Sequence, residues 1–307
     1  MKGKRIGVLM GGFGGEREVA LASGKAVTEA LRRKGYEFVT PIDVGDDLVD
    51  RLREERIGVA FVALHGPVGE DGIVQGVLEF LRIPYTGSGV RASAVAMDKI
   101  MSKRIFEVVG IPSAPWEIIE RDKPRLPEKI VPPLVVKPSD SGSSLAVTLV
   151  VDSEDEKLLE KAIAKALDVS SSAIIEKYVP GSEITVGVLN GEPLGCVEIR
   201  PKNGFYDYRN KYTAGCTEYL APAPISPDKA TLVQQIGAAA YRALGCKGAA
   251  RVDFRLPPQG YPVALEVNTI PGLTSVSLLP KSAAVVGIDF DELIERMLAN
   301  AGYERSE

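Results

Sequence analysis

AARVDFRLPPQGYPVALEVN, residues 249–268, has the pattern of two apolar β-strands joined by a Pro-Pro-Gln-Gly turn. Because side chains alternate along a strand, Arg251 and Asp253 share one face of the first strand. Glu266 and Asn268 share one face of the second strand for the same reason. Carboxylate and amide oxygens are the hard ligands that Mg²⁺ takes alongside phosphate oxygens. The pattern predicts a divalent-cation site on this strand pair, and a solvated polar sheet face is the alternative.

Two loops rich in small residues are candidate binding elements. Asn268–Leu278 follows the strand pair and leads into a helix, and its backbone N–H groups could bind a carboxylate or an oxyanion. Lys137–Ser144 joins two strands, so its backbone could approach phosphates closely while Lys137 adds a positive charge. This second loop lacks the Gly-Lys-Ser/Thr of a Walker A motif, and an ordinary polar hairpin loop is the alternative.

Two further candidate sites lie at strand ends. Glu176 and Lys177 end an apolar strand, and together with Glu183 they could hold adenine and ribose or simply face solvent. His65, the only histidine, lies where a parallel strand gives way to a helix, the usual place of ligand contacts in such sheets. A lone histidine is more often structural, so both interpretations stay open for it.

The glycine-rich turn Met10–Glu16 follows a strand and opens a helix, as a dinucleotide-binding fingerprint does. Arg17 stands where the third glycine of that fingerprint would be, and the Glu16 carboxylate would repel a pyrophosphate. An acidic side chain at this position suits an ammonium group better. The residues therefore disfavour an NAD(P)-binding oxidoreductase.

Strand and helix patterns alternate over the first third of the chain, which predicts a parallel sheet covered on both faces. A short strand is expected at Pro84–Gly87 and an amphipathic helix at Met97–Val109. β-rich runs follow, and a polar, aromatic stretch without clean periodicity occupies residues 200–219. The patterns divide the chain into three expected domains, residues 1–95, 96–180 and 181–307.

Composition narrows the class of partner and the compartment. The 307 residues include 37 basic and 41 acidic side chains, for a formal net charge of −4, and they contain no long basic run. Nucleic acids and anionic membranes are therefore not expected as partners. No apolar stretch approaches the roughly 20 residues of a membrane span. Cys196, Cys216 and Cys246 are widely spaced and odd in number, which predicts free thiols in a reducing cytoplasm.

Eight segments match one known family in residues and in order: GGFGGEREVALASG, HGPVGEDG, MDK, KPSDSGSS, EKYVPGSE, FYDYRNKY, RVDF and LEVNTIPGLTSVSLLP. On these segments, which span nearly the whole sequence, the chain resembles the D-alanine–D-alanine ligases of the ATP-grasp superfamily. The resemblance implies an α/β (α+β) fold, in which an N-terminal parallel-sheet domain precedes two β-rich ATP-grasp lobes that clamp ATP. It also implies that residues 200–219 form a lid.

The resemblance implies a function as well: ligation of two D-alanines to D-alanyl-D-alanine through a D-alanyl-phosphate, for peptidoglycan precursor synthesis. ATP would be the co-substrate, two Mg²⁺ or Mn²⁺ ions would be the cofactors, and the protein would be a homodimer. The tyrosine of the pair Lys211-Tyr212 favours the dipeptide over a depsipeptide. The alternatives are a related ligase that uses D-lactate or another amino acid, and a nucleotide-sensing module without catalysis.

The resemblance also assigns roles residue by residue. Those implied to bind ATP are Lys99, Lys137, Ser143, Ser144, Glu176, Lys177, Val179, Glu183 and Lys211. Those implied to act in catalysis are Glu16, Ser143, Tyr212, Arg251 and Gly272. Those implied to bind substrate are Glu16, His65, Ser277 and Leu278, and the metal ligands are Asp253, Glu266 and Asn268. The chain departs from the family pattern at Ser141, where many relatives have Glu, and at Tyr178, which replaces a commoner Trp.

Overall fold

Three β-sheets organise the part of the chain that the computed structural model describes, residues 1–152, 155–202, 204, 213 and 215–304. The strands are β1 (Ile6–Gly11), β2 (Val39–Val44), β3 (Val59–Val62), β4 (Trp116–Glu120), β5 (Leu134–Pro138), β6 (Thr148–Val150), β7 (Ser172–Lys177), β8 (Ser182–Leu189), β9 (Glu192–Pro201), β10 (Thr217–Leu220), β11 (Ala249–Leu256) and β12 (Val263–Asn268). The helices are α1 (Arg17–Arg33), α2 (Leu48–Glu54), α3 (Ile73–Phe80), α4 (Val90–Met97), α5 (Lys99–Val109), α6 (Glu156–Val169), α7 (Pro227–Ala243), α8 (Leu278–Val285) and α9 (Phe290–Ala299).

The first sheet is parallel, with strand order β2-β1-β3, and helices cover both of its faces. Ile6 and Val8 of β1 share a core with α1, whereas Leu9 lies in the core formed with α2 and α3. All residues of β1 are buried, as expected for a strand covered on both faces. The predicted parallel sheet is confirmed.

The second sheet is antiparallel, with strand order β4-β7-β5-β6, and α6 covers one of its faces. Leu159, Ile163 and Ala166 recur at helical intervals on α6 and are buried in the core of this sheet. Val135 and Lys137 of β5 alternate with the core-facing residues and line a cavity instead. One face of the sheet is therefore core, and the other forms a wall of the candidate site.

The third sheet is antiparallel, with strand order β10-β9-β8-β11-β12, and α7 packs against it. The last two helices connect the third sheet to the first. Leu279 of α8 and Leu293 of α9 share a core with Ile6 of the first sheet, and Ser282 of α8 accepts a hydrogen bond of 2.9 Å from the N–H of Gly187 on β8. The two ends of the chain are thus joined in one core. Among the described residues, no helix combines the length and the apolarity needed to span a bilayer.

One expectation for local structure is wrong, and one is confirmed with a shifted start. At Pro84–Gly87, all of which the structure describes, no strand forms, and Tyr85 alone makes isolated bridges; Pro84 has no N–H to extend a ladder. The helix expected at Met97–Val109 is confirmed as α5, which begins at Lys99, and the preceding helix α4 was not expected. Asp98 between them is extended and caps α5, because its carboxylate accepts a hydrogen bond of 3.0 Å from the N–H of Met101.

Candidate active site

The register of β11 and β12 brings the predicted acidic residues together. Asp253 is the cross-strand partner of Glu266, and Arg251 is the partner of Asn268. These four side chains therefore share one face of the sheet. Arg251 donates hydrogen bonds from Nε and Nη2 to the two carboxylate oxygens of Asp253, at 2.8 and 2.7 Å. Thr185 on β8 donates another to Asp253, at 2.6 Å, so the buried Asp253 carboxylate is held in one orientation.

A third carboxylate, that of Glu183 on β8, adjoins this cluster. Burial raises the pKa of Glu183 to about 7 against the opposing charge of Arg255. The negative charges of Asp253 and Glu266 contribute to the same rise, while Lys99 Nζ lies 3.8 Å from Glu266 Oε2. Carboxylates that repel one another are the environment that a divalent cation stabilises. The described residues contain no metal-binding group of three or more His, Cys, Asp or Glu, and the expected ligand set pairs two carboxylates with an amide.

A buried cluster of two lysines and one glutamate joins α5 to the second sheet, at the wall of the cavity. Lys137 Nζ lies 2.7 Å from Glu176 Oε2, and Lys103 Nζ lies 2.9 Å from Oε1 of the same carboxylate. Burial alone would raise the pKa of Glu176, but the charges of Lys103 and Lys137 outweigh it and lower the pKa to about 2. Burial lowers the pKa of Lys103, whereas at Lys137 the charge of Glu176 overcomes burial and raises the pKa. The sequence analysis missed Lys103, although one helical turn separates it from Lys99 on α5.

The small-residue loop between β5 and β6 is fastened on two sides. Lys99 Nζ donates a hydrogen bond of 2.6 Å to Ser141 O. Ser143 Oγ donates to Glu16 Oε1, which ties the loop to the start of α1. Ser143 and Ser144 have φ values of 53° and 56°. This left-handed conformation costs a non-glycine residue roughly 1 kcal/mol or more, so the surrounding contacts must impose it.

A hydrogen-bond chain that the sequence analysis did not foresee joins α1 to the loop after β12. Ser23 Oγ lies 3.0 Å from His65 Nε2 and accepts a hydrogen bond of 3.2 Å from the N–H of Leu273. The hydroxyl can donate to His65 Nε2 or accept from it, according to the tautomer of the imidazole. On the other side of the ring, His65 Nδ1 lies 3.8 Å from Glu70 Oε1. Ser23 lies two helical turns after Glu16, a spacing from which it could have been found.

The loop after β12 is closed by its own side chains. Ser277 Oγ accepts a hydrogen bond of 3.1 Å from the N–H of Thr274 and lies 2.8 Å from Thr274 Oγ1. A Cβ atom at Gly272 would lie 2.9 Å from Ser277 Oγ, so the close approach requires glycine. Ser277 and Leu278 stand at the start of α8, where backbone N–H groups favour an anion.

The glycine-rich turn after β1 is built differently from a dinucleotide site. In such a site, an acidic residue near the end of the second strand holds a ribose hydroxyl. Here Asp43 of β2 occupies that place, and Arg17 Nη1 donates to it at 2.7 Å and to Gly12 O at 3.1 Å. Arg17 thus binds the carboxylate that a ribose would need, and the exclusion of NAD(P) stays a prediction.

Three adjoining cavities form one cleft, because Lys99 and Glu266 line the first and second, and Glu16 and Asn268 line the second and third. The residues assigned to ATP that line the first are Lys99, Lys137, Ser144, Glu176, Lys177, Val179 and Glu183, and Asp253 lies with them. Ser143 lines the second. The assigned residues along the third are Glu16, His65, Arg251, Gly272, Ser277 and Leu278. Lys211 and Tyr212 lie outside the described residues.

A cleft with lysines on one antiparallel sheet and acidic side chains on another is the arrangement of the ATP-grasp fold, and the chain has that fold. Residues 105–299 match the family model described as D-ala D-ala ligase C-terminus, and residues 46–88 match the model described as D-ala D-ala ligase N-terminus. The chain belongs to the D-alanine–D-alanine ligase family.

Relatives align with this chain over almost its whole length. The D-alanine–D-alanine ligase of Syntrophotalea carbinolica is 48% identical over 305 residues, which cover 98% of this chain and 97% of the relative. That of Geotalea uraniireducens is 46% identical over 309 residues, which cover 100% and 98%. The crystal structure of the Bacillus anthracis D-alanine–D-alanine ligase complexed with ATP is 34% identical, with a TM-score of 0.85 and 97% of each chain covered. The predicted family and fold class are confirmed.

Proposed function

We propose that the chain joins two D-alanines to D-alanyl-D-alanine with conversion of ATP to ADP and phosphate, for peptidoglycan precursor synthesis. The observation that carries the proposal is the cleft, which every described residue with an assigned role lines. Relatives of the same name, one of them solved with ATP, support it over the whole chain.

The reaction proceeds in two steps. A carboxylate oxygen of the first D-alanine attacks the γ-phosphorus of ATP, the bond to the bridging oxygen breaks, and ADP leaves with that electron pair. The amine of the second D-alanine then attacks the carbonyl carbon of the D-alanyl-phosphate. It loses a proton, and the tetrahedral intermediate expels phosphate.

In the first step, the side chains of the cleft bind and neutralise charged groups. The Glu16 carboxylate would hold the ammonium group of the first D-alanine, beside His65. Lys99 and Lys137 would bind phosphate oxygens, because both amines line the first cavity. The strained residues Ser143 and Ser144 would bring the loop backbone to the phosphates.

The acidic strand pair fits the metal that the family implies. Asp253, Glu266 and Asn268 supply hard oxygen donors on one face, and the mutual repulsion of the carboxylates is the charge imbalance that cations remove. Two bound Mg²⁺ or Mn²⁺ ions would supply charge neutralisation at the transferred phosphoryl group.

In the second step, the tetrahedral intermediate carries an oxyanion. The Arg251 guanidinium and the backbone N–H of Gly272 would stabilise it, and both residues line the third cavity. The Ser23 hydroxyl fixes the backbone just after Gly272. Ser277 and Leu278, at the start of α8, would receive the carboxylate of the second D-alanine.

The adenine and ribose would also lie in the first cavity. Glu176, Lys177, Val179 and Glu183 line it together. The ion pairs of Glu176 with two lysines fix its orientation there.

A phosphate-release assay tests the proposal. The protein, supplied with ATP and Mg²⁺, should release phosphate with D-alanine and far less with L-alanine; D-lactate is added together with D-alanine in a second reaction. Mass spectrometry should find D-alanyl-D-alanine as the product. Equal phosphate release with L-alanine and D-alanine would contradict the substrate, and a depsipeptide product would favour the D-lactate alternative.

A homodimer is also proposed, and an exposed apolar stripe on α3 supports it. Ile73 and Phe80 are 56% and 83% exposed, and Val77 lies between them at helical spacing. Phe80→Glu should therefore produce a monomer in size-exclusion chromatography with light scattering. A wild-type protein that is monomeric at every concentration would contradict the proposed homodimer.

A cytoplasmic location and the domain division remain proposals as well. The need for ATP and the three free cysteines support the cytoplasm. A separate sheet within each of residues 1–95, 96–180 and 181–307 supports the division, although α8 and α9 contribute to the core of the first sheet.

A further inference from the structure

The segment that connects β7 to β8 lines the part of the cleft that is proposed to bind the nucleotide. It is the passage of the chain from the second sheet to the third, and it contains Tyr178, Val179 and Gly181. Val179 and the neighbouring Glu183 line the cavity that is proposed to hold adenine and ribose. The position of this linker therefore decides the shape of the nucleotide site.

One guanidinium group from β11 holds the linker. Arg255 Nε donates to Val179 O at 3.0 Å, and Nη2 donates to Gly181 O at 2.6 Å and to the Tyr178 hydroxyl at 3.1 Å. The guanidinium carbon also lies 5.4 Å from the centre of the Tyr178 ring, within cation–π range. The remaining nitrogen, Nη1, donates a hydrogen bond of 3.4 Å to Glu183 Oε2.

A second, independent feature presses the linker onto the same strand. Gly181 has a φ of +129°, and a Cβ atom added there would lie 2.1 Å from Leu256 O at the end of β11. The backbone of the linker thus reaches β11 without an intervening side chain, next to the carbonyls that Arg255 binds. A planar group with several fixed donors suits this task, because lysine can offer only one point charge.

We infer that Arg255 is a positioning residue for the adenine nucleotide: it fixes the linker and the Glu183 carboxylate, and thereby sets the affinity for ATP. The inference rests on the proposed function and adds to it a residue on which ATP affinity depends. Arg255 contacts both the ring and the hydroxyl of Tyr178, and both residues line the first cavity, so the pair shapes the wall of this pocket. The chemical step should not depend on Arg255, since its donors are turned to the linker.

Nucleotide binding, measured by calorimetry without D-alanine, tests the inference directly. With Mg²⁺ present, Arg255→Met should raise the Kd for ATP by roughly tenfold or more, as expected for lost charged hydrogen bonds. The Kd of Arg255→Lys should lie between those of the wild type and Arg255→Met. Tyr178→Phe should raise the Kd less than Arg255→Met does. In turnover assays, KM for ATP should rise, while kcat and KM for D-alanine stay within about twofold.

Arg33→Met is the matched control, because Arg33 makes a two-bond ion pair with Asp291, at 2.8 and 2.6 Å, and neither residue lines the first cavity. Its Kd for ATP should equal that of the wild type. An unchanged Kd in Arg255→Met, or a parallel loss of kcat and of D-alanine affinity, would overturn the inference. If Arg255→Met does not fold, unchanged Kd values for ATP in both Arg255→Lys and Tyr178→Phe would overturn the inference. A wild-type protein that binds no ATP would instead refute the proposed function, and the inference with it.

Discussion

Replacing Glu176 by Gln tests the buried lysine–glutamate cluster, because glutamine has the shape of a protonated glutamate. Glu176 lies between Lys103 and Lys137, at 2.9 and 2.7 Å, and these charges lower its pKa from 4.5 to about 2 despite burial. A change of one in the pKa corresponds to about 1.4 kcal/mol. The ionised carboxylate of Glu176 therefore stabilises the folded state by about 3 kcal/mol at neutral pH.

The sign of the pH dependence follows from the direction of this shift. The folded-state pKa of Glu176 is below the ordinary value, so its contribution is complete above about pH 4.5 and disappears as the pH falls to about 2. Glu176→Gln should therefore lower the unfolding free energy by about 3 kcal/mol at pH 7. The gap between variant and wild type should close as the pH falls from about 5 to about 2.

Trp116 makes the measurement specific to this sheet. It is the only tryptophan, and it is the cross-strand partner of Glu176 on β4. Urea unfolding of the nucleotide-free protein can be monitored by the fluorescence of Trp116. At pH 7 the urea midpoint of Glu176→Gln should be lower than that of the wild type by roughly 1 M or more. Glu120→Gln, at an exposed position on β4, is the control, and its urea midpoint should differ little from that of the wild type. Equal midpoints at pH 7, or a gap as large at pH 3 as at pH 7, would refute the reasoning.

Three further changes probe the other parts of the cleft. Glu266→Ala should abolish most turnover without loss of the fold, since it removes a proposed metal ligand; full activity at saturating Mg²⁺ would contradict that role. Arg251→Ala should lower kcat by roughly 10²–10³-fold if the guanidinium stabilises the oxyanion, and a change confined to KM would argue against it. Ser23→Ala should lower kcat by roughly tenfold with little change in KM for ATP, because the N–H of Leu273 loses its acceptor; steady-state kinetics at saturating substrate decide this, and a wild-type kcat would show that the hydrogen bond is not needed.

Sequence periodicity predicted the elements that obey a simple period. The alternation along β11 and β12 placed Arg251 and Asp253 on one face, and the register observed between the two strands confirms it. The parallel first sheet followed from alternating strand and helix patterns in the same way. The helix α4 was missed because its sequence, VRASAVAM, is rich in small residues and has little contrast between its faces.

Contacts between distant segments could not be derived from spacing. The hydrogen bond between Glu16 and Ser143 joins residues 127 positions apart, so no local pattern indicates it. Ser23, Lys103 and Arg255 were not foreseen, because each acts through partners on other elements of the fold. A local pattern shows which face a side chain occupies, whereas its partners depend on how the three sheets are arranged.

The placement of α8 and α9 has a consequence for how the protein folds during translation. Leu279 and Leu293 complete the apolar core around Ile6 and Val8, although the ribosome makes them after most of the chain. The face of the nascent first sheet that packs on α1 therefore stays only partly covered until these last helices emerge. Apolar surface left exposed during that interval favours aggregation. The second sheet, whose core is closed by the adjacent α6, has no such delay.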